Sequence, residues 1–176
     1  PSVLSRRPWA QVRWFCRLCS TSWHNPFMEQ VLERLRAQVG TETGVSNWME
    51  ITQERVNAFA EATNDHQFIH VNEELAAQTP FGGTIAHGFL TLSLSVALGA
   101  EVSLDVGSPM MAINYGLDRV RFPAPVPVGS RIRQRVTLTG VEEVPGGLHI
   151  VQTMVTEIEG QEKPAMVAER LTRFYY

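Results

Sequence analysis

Cysteine is nearly missing: Cys16 and Cys19 are the only two among 176 residues. That excludes a disulfide-stapled secreted fold, and a lone C-x-x-C lacks the second ligand pair that completes a structural zinc site. An excess of positive charge is missing as well. Fifteen Lys and Arg stand against eighteen Asp and Glu, a net charge of −3, so no basic field points to nucleic acid or to an anionic membrane surface. There is no long lipid-spanning run either, because the most apolar stretch, 81–100, is interrupted by Gly82, Gly83, His87, Gly88 and several Ser and Thr. Repeats of 20 to 50 residues are absent. What remains is a chain of a size that supports one hydrophobic core.

Residues 1–27 differ in composition from the rest. They hold Arg6, Arg7, Arg13 and Arg17, no Asp or Glu, both cysteines and three of the four tryptophans. The expectation is a leader outside the folded domain, arising either from a start assigned upstream of an initiator at Met28 or from an organelle transit peptide. The domain proper is then 28–176. Its eleven basic against eighteen acidic residues suit a cytoplasmic protein, or a mitochondrial one if the leader is a transit peptide.

From Met28 to Val39 the apolar positions Val31, Leu32, Leu35 and Val39 fall on one stripe, which predicts an amphipathic docking helix ended by Gly40. Trp48 to Ile51 reads as a short strand. Thr52 then caps a second helix through Thr63, with Val56, Phe59, Ala60 and Ala62 on its apolar side. Asn64-Asp65 favours a turn and a left-handed residue, so Thr63 to His70 reads as a loop. Glu73 to Gln78 is a helical turn and Thr79 to Gly83 a turn. Ala86 to Ala100 is apolar nearly all round, which predicts a buried helix with Leu94, Val96 and Leu98 in the core. After Gly107 the period changes from 3.6 to 2. Met110–Phe122, Arg131–Val144, Leu148–Glu159 and Ala165–Tyr175 read as long antiparallel strands separated by Pro- and Gly-rich turns. The simplest arrangement is an α+β fold in which a curved antiparallel sheet wraps around the single buried helix.

Asp65, His66, His70 and His87 lie within 23 residues, together with Gly82-Gly83 and His87-Gly88. An Asp and a His five apart across a loop can converge on one water, supplying a base and an acid. The N-terminus of a buried helix presents unpaired N–H groups and partial positive charge, and a glycine there lets a substrate oxygen approach the backbone, so Gly88 is a candidate carbonyl binder. The parts suit chemistry beside a polarised carbonyl: addition or removal of water, or acyl hydrolysis. Plainer roles stand beside these: Asp65 as a turn residue, His70 as a satisfied buried histidine, His87 as an organiser of the helix start and His66 as a surface residue. His66 to His70 imitates a metalloprotease pattern, but Gln67 stands where the general-base Glu belongs, and no metal is expected. Arg131, Arg133 and Arg135 alternate on one strand, Arg119 and Arg121 on another. They form either a solvated sheet face or a clamp for phosphate. Met110, Met111 and Met166 are expected in the core or lining a tunnel.

The motifs ATNDHQFIHVN (62–72), FGGTIAHGFL (81–90) and YGLDRVRFPAPVPVGS (115–130), in that order and spacing, resemble the MaoC-like (R)-specific enoyl-CoA hydratases, including their nodulation-protein-N-like branch. The resemblance spans about 46–175. It implies the hot-dog fold, usually as a homodimer, and hydration of trans-2-enoyl thioesters or the reverse dehydration of 3-hydroxyacyl thioesters. Asp65 and His70 match the family's D-x-N-P-[LI]-H pair that activates water, and His87-Gly88 matches its H-G step at the helix start. By that resemblance Gly88, His87 and Gln67 bind substrate, an acyl-CoA or acyl-carrier thioester, with no further cofactor. The chain departs from the pattern at Asn64, where Gly is usual, at Gln67, where Asn is usual, and at Phe68, where Pro is usual. The alternatives are an acyl-thioester hydrolase on the same fold and a protein that binds acyl thioesters without turning them over.

Overall fold

The computed structural model describes residues 26–102 and 104–176. The expectations for residues 1–25, including Cys16 and Cys19, lie outside the described residues. Helix α1 spans Pro26–Ala37, and strands β1 (Glu42–Val45) and β2 (Met49–Glu50) follow. Three helices come next: α2 (Gln53–Thr63) and the one-turn helices α3 (Phe68–Val71) and α4 (Glu73–Ala76). Helix α5 (Gly88–Ala100) precedes four long strands, β3 (Met111–Arg121), β4 (Arg131–Val144), β5 (Gly147–Ile158) and β6 (Met166–Tyr175). They form one six-stranded antiparallel sheet in the order β1-β4-β5-β6-β3, with β2 also pairing with β4. This is the hot-dog arrangement expected from the sequence. No helix among the described residues is long and apolar enough to cross a membrane.

Alternation along β4 and β5 turns Ile132, Val136, Leu138, Leu148, Ile150, Met154 and Ile158 to one buried face. Two helices cover that face. Leu90, Leu94 and Leu98 of α5 join Ile51, Val56, Ile132 and Ile158, while Val31, Leu32 and Leu35 of α1 meet Leu138, Leu148 and Ile150. Each such side chain contributes about 1.5–3 kcal/mol by leaving water. The α1 stripe at Val31, Leu32 and Leu35 thus docks as expected, although Val39 remains exposed beyond the helix end.

The sequence reading and the structure part in four places. Strand β1 went unread because Gly44 interrupts the strand pattern. The stretch read as a loop to His70 contains α3. Helix α5 is buried on one side only: Leu94 and Leu98 are core, but Val96 is 51% and Phe89 69% exposed, because the sheet covers a single face of the helix. Met166 is buried, whereas Met110 and Met111 are exposed, since β3 is an edge strand that pairs only with β6.

Beneath the C-terminal half of α5 the inner face turns polar. Gln134, Gln152, Thr156 and Thr172 are buried there, and Arg170 Nη2 donates to Gln152 Oε1 at 2.6 Å. Burial depresses the Arg170 pKa, with no carboxylate opposing that effect. The guanidinium is half-buried, and its neutral amide partner offsets the desolvation only in part.

The β5–β6 pairing also demands glycine at 147, where an added Cβ would collide with the Phe174 carbonyl oxygen. Gly147→Ala is expected to lower stability by about 3 kcal/mol, roughly 6–12 °C in Tm for a chain of this size. At Gly83 an added Cβ meets nothing within 4 Å, so Gly83→Ala is expected to shift Tm by no more than about 2 °C. Calorimetric scans of the two variants check both values.

Candidate active site

The site grows from the end of α2. Thr52 caps that helix by accepting from Arg55 N–H, and the helix stops at Asn64, which adopts the left-handed region at φ 57. An Asn tolerates this conformation because its short side chain can bond locally. The reversal sends Asp65 back toward the helix start of α5, while His70 is carried inward on α3.

The segment 84–86 supplies the frame for His70. It is fastened on one side to 126–128 through Ala86 N–H to Val126 O (2.8 Å) and Val128 N–H to Thr84 O (2.9 Å), and on the other to α3 through Ile85 N–H to Ile69 O (3.0 Å). The Ile85 carbonyl lies 2.7 Å from His70 Nδ1. A carbonyl can only accept, so Nδ1 carries the proton and Nε2 of the neutral ring keeps its lone pair. Burial pushes the His70 pKa below its ordinary 6.5; the Ile85 bond and Asp65 oppose this, and His87 adds to it.

His87 is the N-cap of α5 and is 2% exposed. Its Nε2 donates to the Asp65 backbone carbonyl at 2.9 Å and stands 4.0 Å from the Asp65 carboxylate. The ring stacks on His70 with centroids 3.8 Å apart, and Phe59 closes its other side at 5.1 Å. His87 therefore organises both members of the pair from behind. Its Nδ1 is buried without a partner among the described residues.

One oxygen of Asp65 and one ring nitrogen from each of His70 and His87 all lie within 4.8 Å of one another. Two atoms at that separation can share one water. The same three groups could close on a metal ion, but the His87 nitrogen near Asp65 carries a proton already donated to a carbonyl, and that bond would have to break first.

His70 and Gly88 line one cavity of about 350 Å³, together with Phe81, Thr91, Phe122 and Ala165. As the first residue of α5, Gly88 has no intrahelical acceptor for its N–H, and no side chain caps this end. Glycine is required by space as well: a Cβ there would stand 3.1 Å from the Phe122 ring. The structure thus brings together Asp65, His70, His87 and Gly88. Gln67 lies apart; it is exposed at the start of α3, and its contact with the site is its backbone carbonyl, which accepts from His70 N–H. His66 is exposed and faces Glu61 at 3.8 Å.

Sequence reasoning missed Gln53. Its Nε2 donates to the His70 carbonyl at 2.8 Å and its Oε1 accepts from Thr84 Oγ1 at 2.6 Å. The amide thereby ties the histidine to the segment that fixes its tautomer. A polar residue in the first turn of a capped helix carries no pattern that would single it out. The row Arg131, Arg133 and Arg135 belongs to the solvated sheet face: Arg131 pairs with Glu159, Arg133 with Glu157, and Arg135 with Glu157 and Glu42; on β3, Arg119 pairs with Glu169.

Comparison with known proteins agrees with this geometry. A family model described as the MaoC like domain matches residues 34–161. The 3-hydroxyacyl-thioester dehydratase Z of Mycobacterium tuberculosis is 52% identical over 141 residues, covering 80% of this chain and 93% of that protein. Nodulation protein N of Rhizobium leguminosarum bv. viciae is 44% identical over 146 residues, 82% of this chain and 91% of that one. Among solved structures, the (R)-hydratase of A. caviae superposes with a TM-score of 0.63 at 25% identity, covering 76% of this chain and 94% of its own. Family model, relatives and fold agree, and the chain belongs to the MaoC-like dehydratase family.

Proposed function

We propose that the protein adds water to trans-2-enoyl thioesters, and removes it from (R)-3-hydroxyacyl thioesters, with Asp65 and His70 as catalytic residues. The observation that carries this reading is the meeting of two groups at one cavity, an imidazole with a free Nε2 lone pair and the uncapped N–H of Gly88, with the Asp65 carboxylate within 4.8 Å of a nitrogen of that imidazole. The names of the relatives, a 3-hydroxyacyl-thioester dehydratase and an (R)-specific enoyl-CoA hydratase, support the same reaction.

Asp65 and His70 hold one water between them. As its oxygen bonds to C3, His70 Nε2 takes one of its protons and the C2=C3 electron pair moves into the thioester, forming an enolate oxygen. The Gly88 N–H and the positive end of α5 stabilise that oxygen, an effect for which a single donor typically supplies about 10²–10³ in rate. The proton is then delivered to C2, which restores the pair. No outside oxidant, reductant or metal is needed to balance the step. A hydrolase on the same site would attack C1 and release free thiol, which a thiol reagent reports.

A homodimer is part of the proposal. Strand β3 is an eleven-residue edge on which Met111, Ile113, Tyr115 and Leu117 are exposed, and Val96 and Phe89 of α5 are exposed as well. It lacks the Lys and Pro that blunt free edges. Two copies pairing these edges antiparallel would be self-complementary about a two-fold axis. Coenzyme A and an acyl carrier protein both remain acceptable as carriers.

Three outcomes are expected. Asp65→Asn and His70→Ala should each lower crotonyl-CoA hydration by about 10²–10⁴ without changing the circular dichroism spectrum; near-normal rates in both would refute the assignment. The lowered His70 pKa keeps the ring neutral as pH falls through 6.5. On the acid side kcat/KM should therefore stay level there and bend only below, and a bend above that value contradicts the buried-base reading. Finally, analytical ultracentrifugation should give twice the chain mass for the wild type and a monomer for Ile113→Lys combined with Val96→Glu.

A further inference from the structure

The catalytic cavity holds one polar side chain that the hydration step leaves unused. Among the described residues that line it, His70 and Thr91 carry polar side-chain atoms, and the others are aromatic, aliphatic, proline or the glycine of the helix start. Thr91 is 2% exposed. It stands three residues after Gly88 and so on the same face of α5, about 4.5 Å farther along the axis.

A threonine inside a helix ordinarily satisfies its hydroxyl on the carbonyl four residues back. Two other hydroxyls in this protein do so at short range: Thr63 Oγ1 donates to Phe59 O at 2.7 Å and Ser93 Oγ to Phe89 O at 2.8 Å. Thr91 Oγ1 stands 3.4 Å from His87 O, beyond the range of roughly 2.5–3.0 Å in which O–H···O bonds are effective. That carbonyl already accepts the Thr91 N–H at 3.1 Å, so the fold draws little from the hydroxyl. Valine has the same branched shape and would spare the cost of a weakly bonded hydroxyl among apolar walls.

The chemistry of the bound water gives such a hydroxyl a role. The Asp65 carboxylate and the His70 Nε2 lone pair are both acceptors, so each engages a proton of the water and neither holds its oxygen. That oxygen has two lone pairs: one attacks C3, and the other is left for a donor. We infer that Thr91 is a third catalytic residue, whose hydroxyl donates to this oxygen in the attacking water and in the 3-hydroxyl that the water becomes. The inference rests on the proposed hydration and adds a residue to it. Thr91 keeps its own proton throughout, so the balance of the step is unchanged: the water proton goes to His70, and C2 receives one. What the hydroxyl supplies is aim, because an oxygen held from three sides directs its remaining lone pair at C3.

The test measures crotonyl-CoA hydration by Thr91→Val, which removes the hydroxyl and keeps the shape, and by Thr91→Ser, which keeps the hydroxyl. Thr91→Val should lower kcat by about 10- to 100-fold, the effect of a lost bond that leaves a buried partner unpaired, while Thr91→Ser stays within about threefold of the wild type. KM should change little in either variant, and Thr91→Val should melt no lower than the wild type. A near-normal kcat in Thr91→Val overturns the inference, and so does a Thr91→Ser kcat as low as that of the valine variant. A Tm that falls together with the rate, or failure of Thr91→Val to fold, overturns it equally, because the hydroxyl then serves the fold. Wild-type hydration of crotonyl-CoA is the control for the reaction itself. If the wild type leaves crotonyl-CoA unchanged, the hydratase reading fails, and (R)-3-hydroxybutyryl-CoA is then stable on the protein. Titration calorimetry must in that case show the wild type and Thr91→Ser preferring it to butyryl-CoA by about fivefold or more and Thr91→Val losing the preference; any other pattern overturns the assignment of Thr91.

Discussion

A single hydrogen bond, from His70 Nδ1 to the Ile85 carbonyl, constrains the rest of the site. It decides which ring nitrogen holds the proton, and so makes Nε2 the atom able to accept one from water. The bond works because its acceptor cannot move: Ile85 sits between Thr84 and Ala86, whose backbones are laced to 126–128, while its own N–H holds Ile69. Gln53 closes the frame from α2 by gripping both the His70 carbonyl and the Thr84 hydroxyl. Four segments distant in sequence therefore converge on one tautomer.

The second organising element is the axis of α5. Its N-terminus, left uncapped at Gly88, offers roughly half a positive charge where an enolate oxygen would develop. Its C-terminal half overlies Arg170 and two glutamines on the sheet. The helix is polar at both ends of its buried side and apolar between them at Leu90, Leu94 and Leu98, which hold it against the sheet. Those leucines, at about 1.5–3 kcal/mol each, outweigh the desolvation of the polar groups around them. A helix anchored in this way can keep backbone N–H groups unsatisfied at one end.

Much of this was legible in the sequence. The change of period after Gly107 located the four long strands to within about two residues, and Thr52 and Asn64 marked the two ends of α2 because cap and left-handed positions have strong local chemistry. Asp65, His70 and Gly88 can be named from their chemistry and from the family resemblance together, and His87 reads either as an organiser of the helix start or as a substrate contact. What escaped was tertiary. Whether β3 forms an edge, and which side of α5 the sheet covers, depends on strand order, so Val96, expected in the core, and Met110 and Met111, expected in the core or lining a tunnel, are exposed. Gln53 escaped because its importance comes from Thr84 and His70, residues 31 and 17 positions away.

The two groups of arginines show why residue type alone does not reveal a binding site. Arg131, Arg133 and Arg135 alternate conspicuously and read either as a solvated sheet face or as a phosphate clamp; each meets a glutamate on the sheet face, which is the first of the two. Such paired groups leave little free charge for a ligand. Arg170 has no pattern around it in the sequence. Its surroundings set it apart: it is desolvated, bonded to a neutral amide and unopposed by any carboxylate.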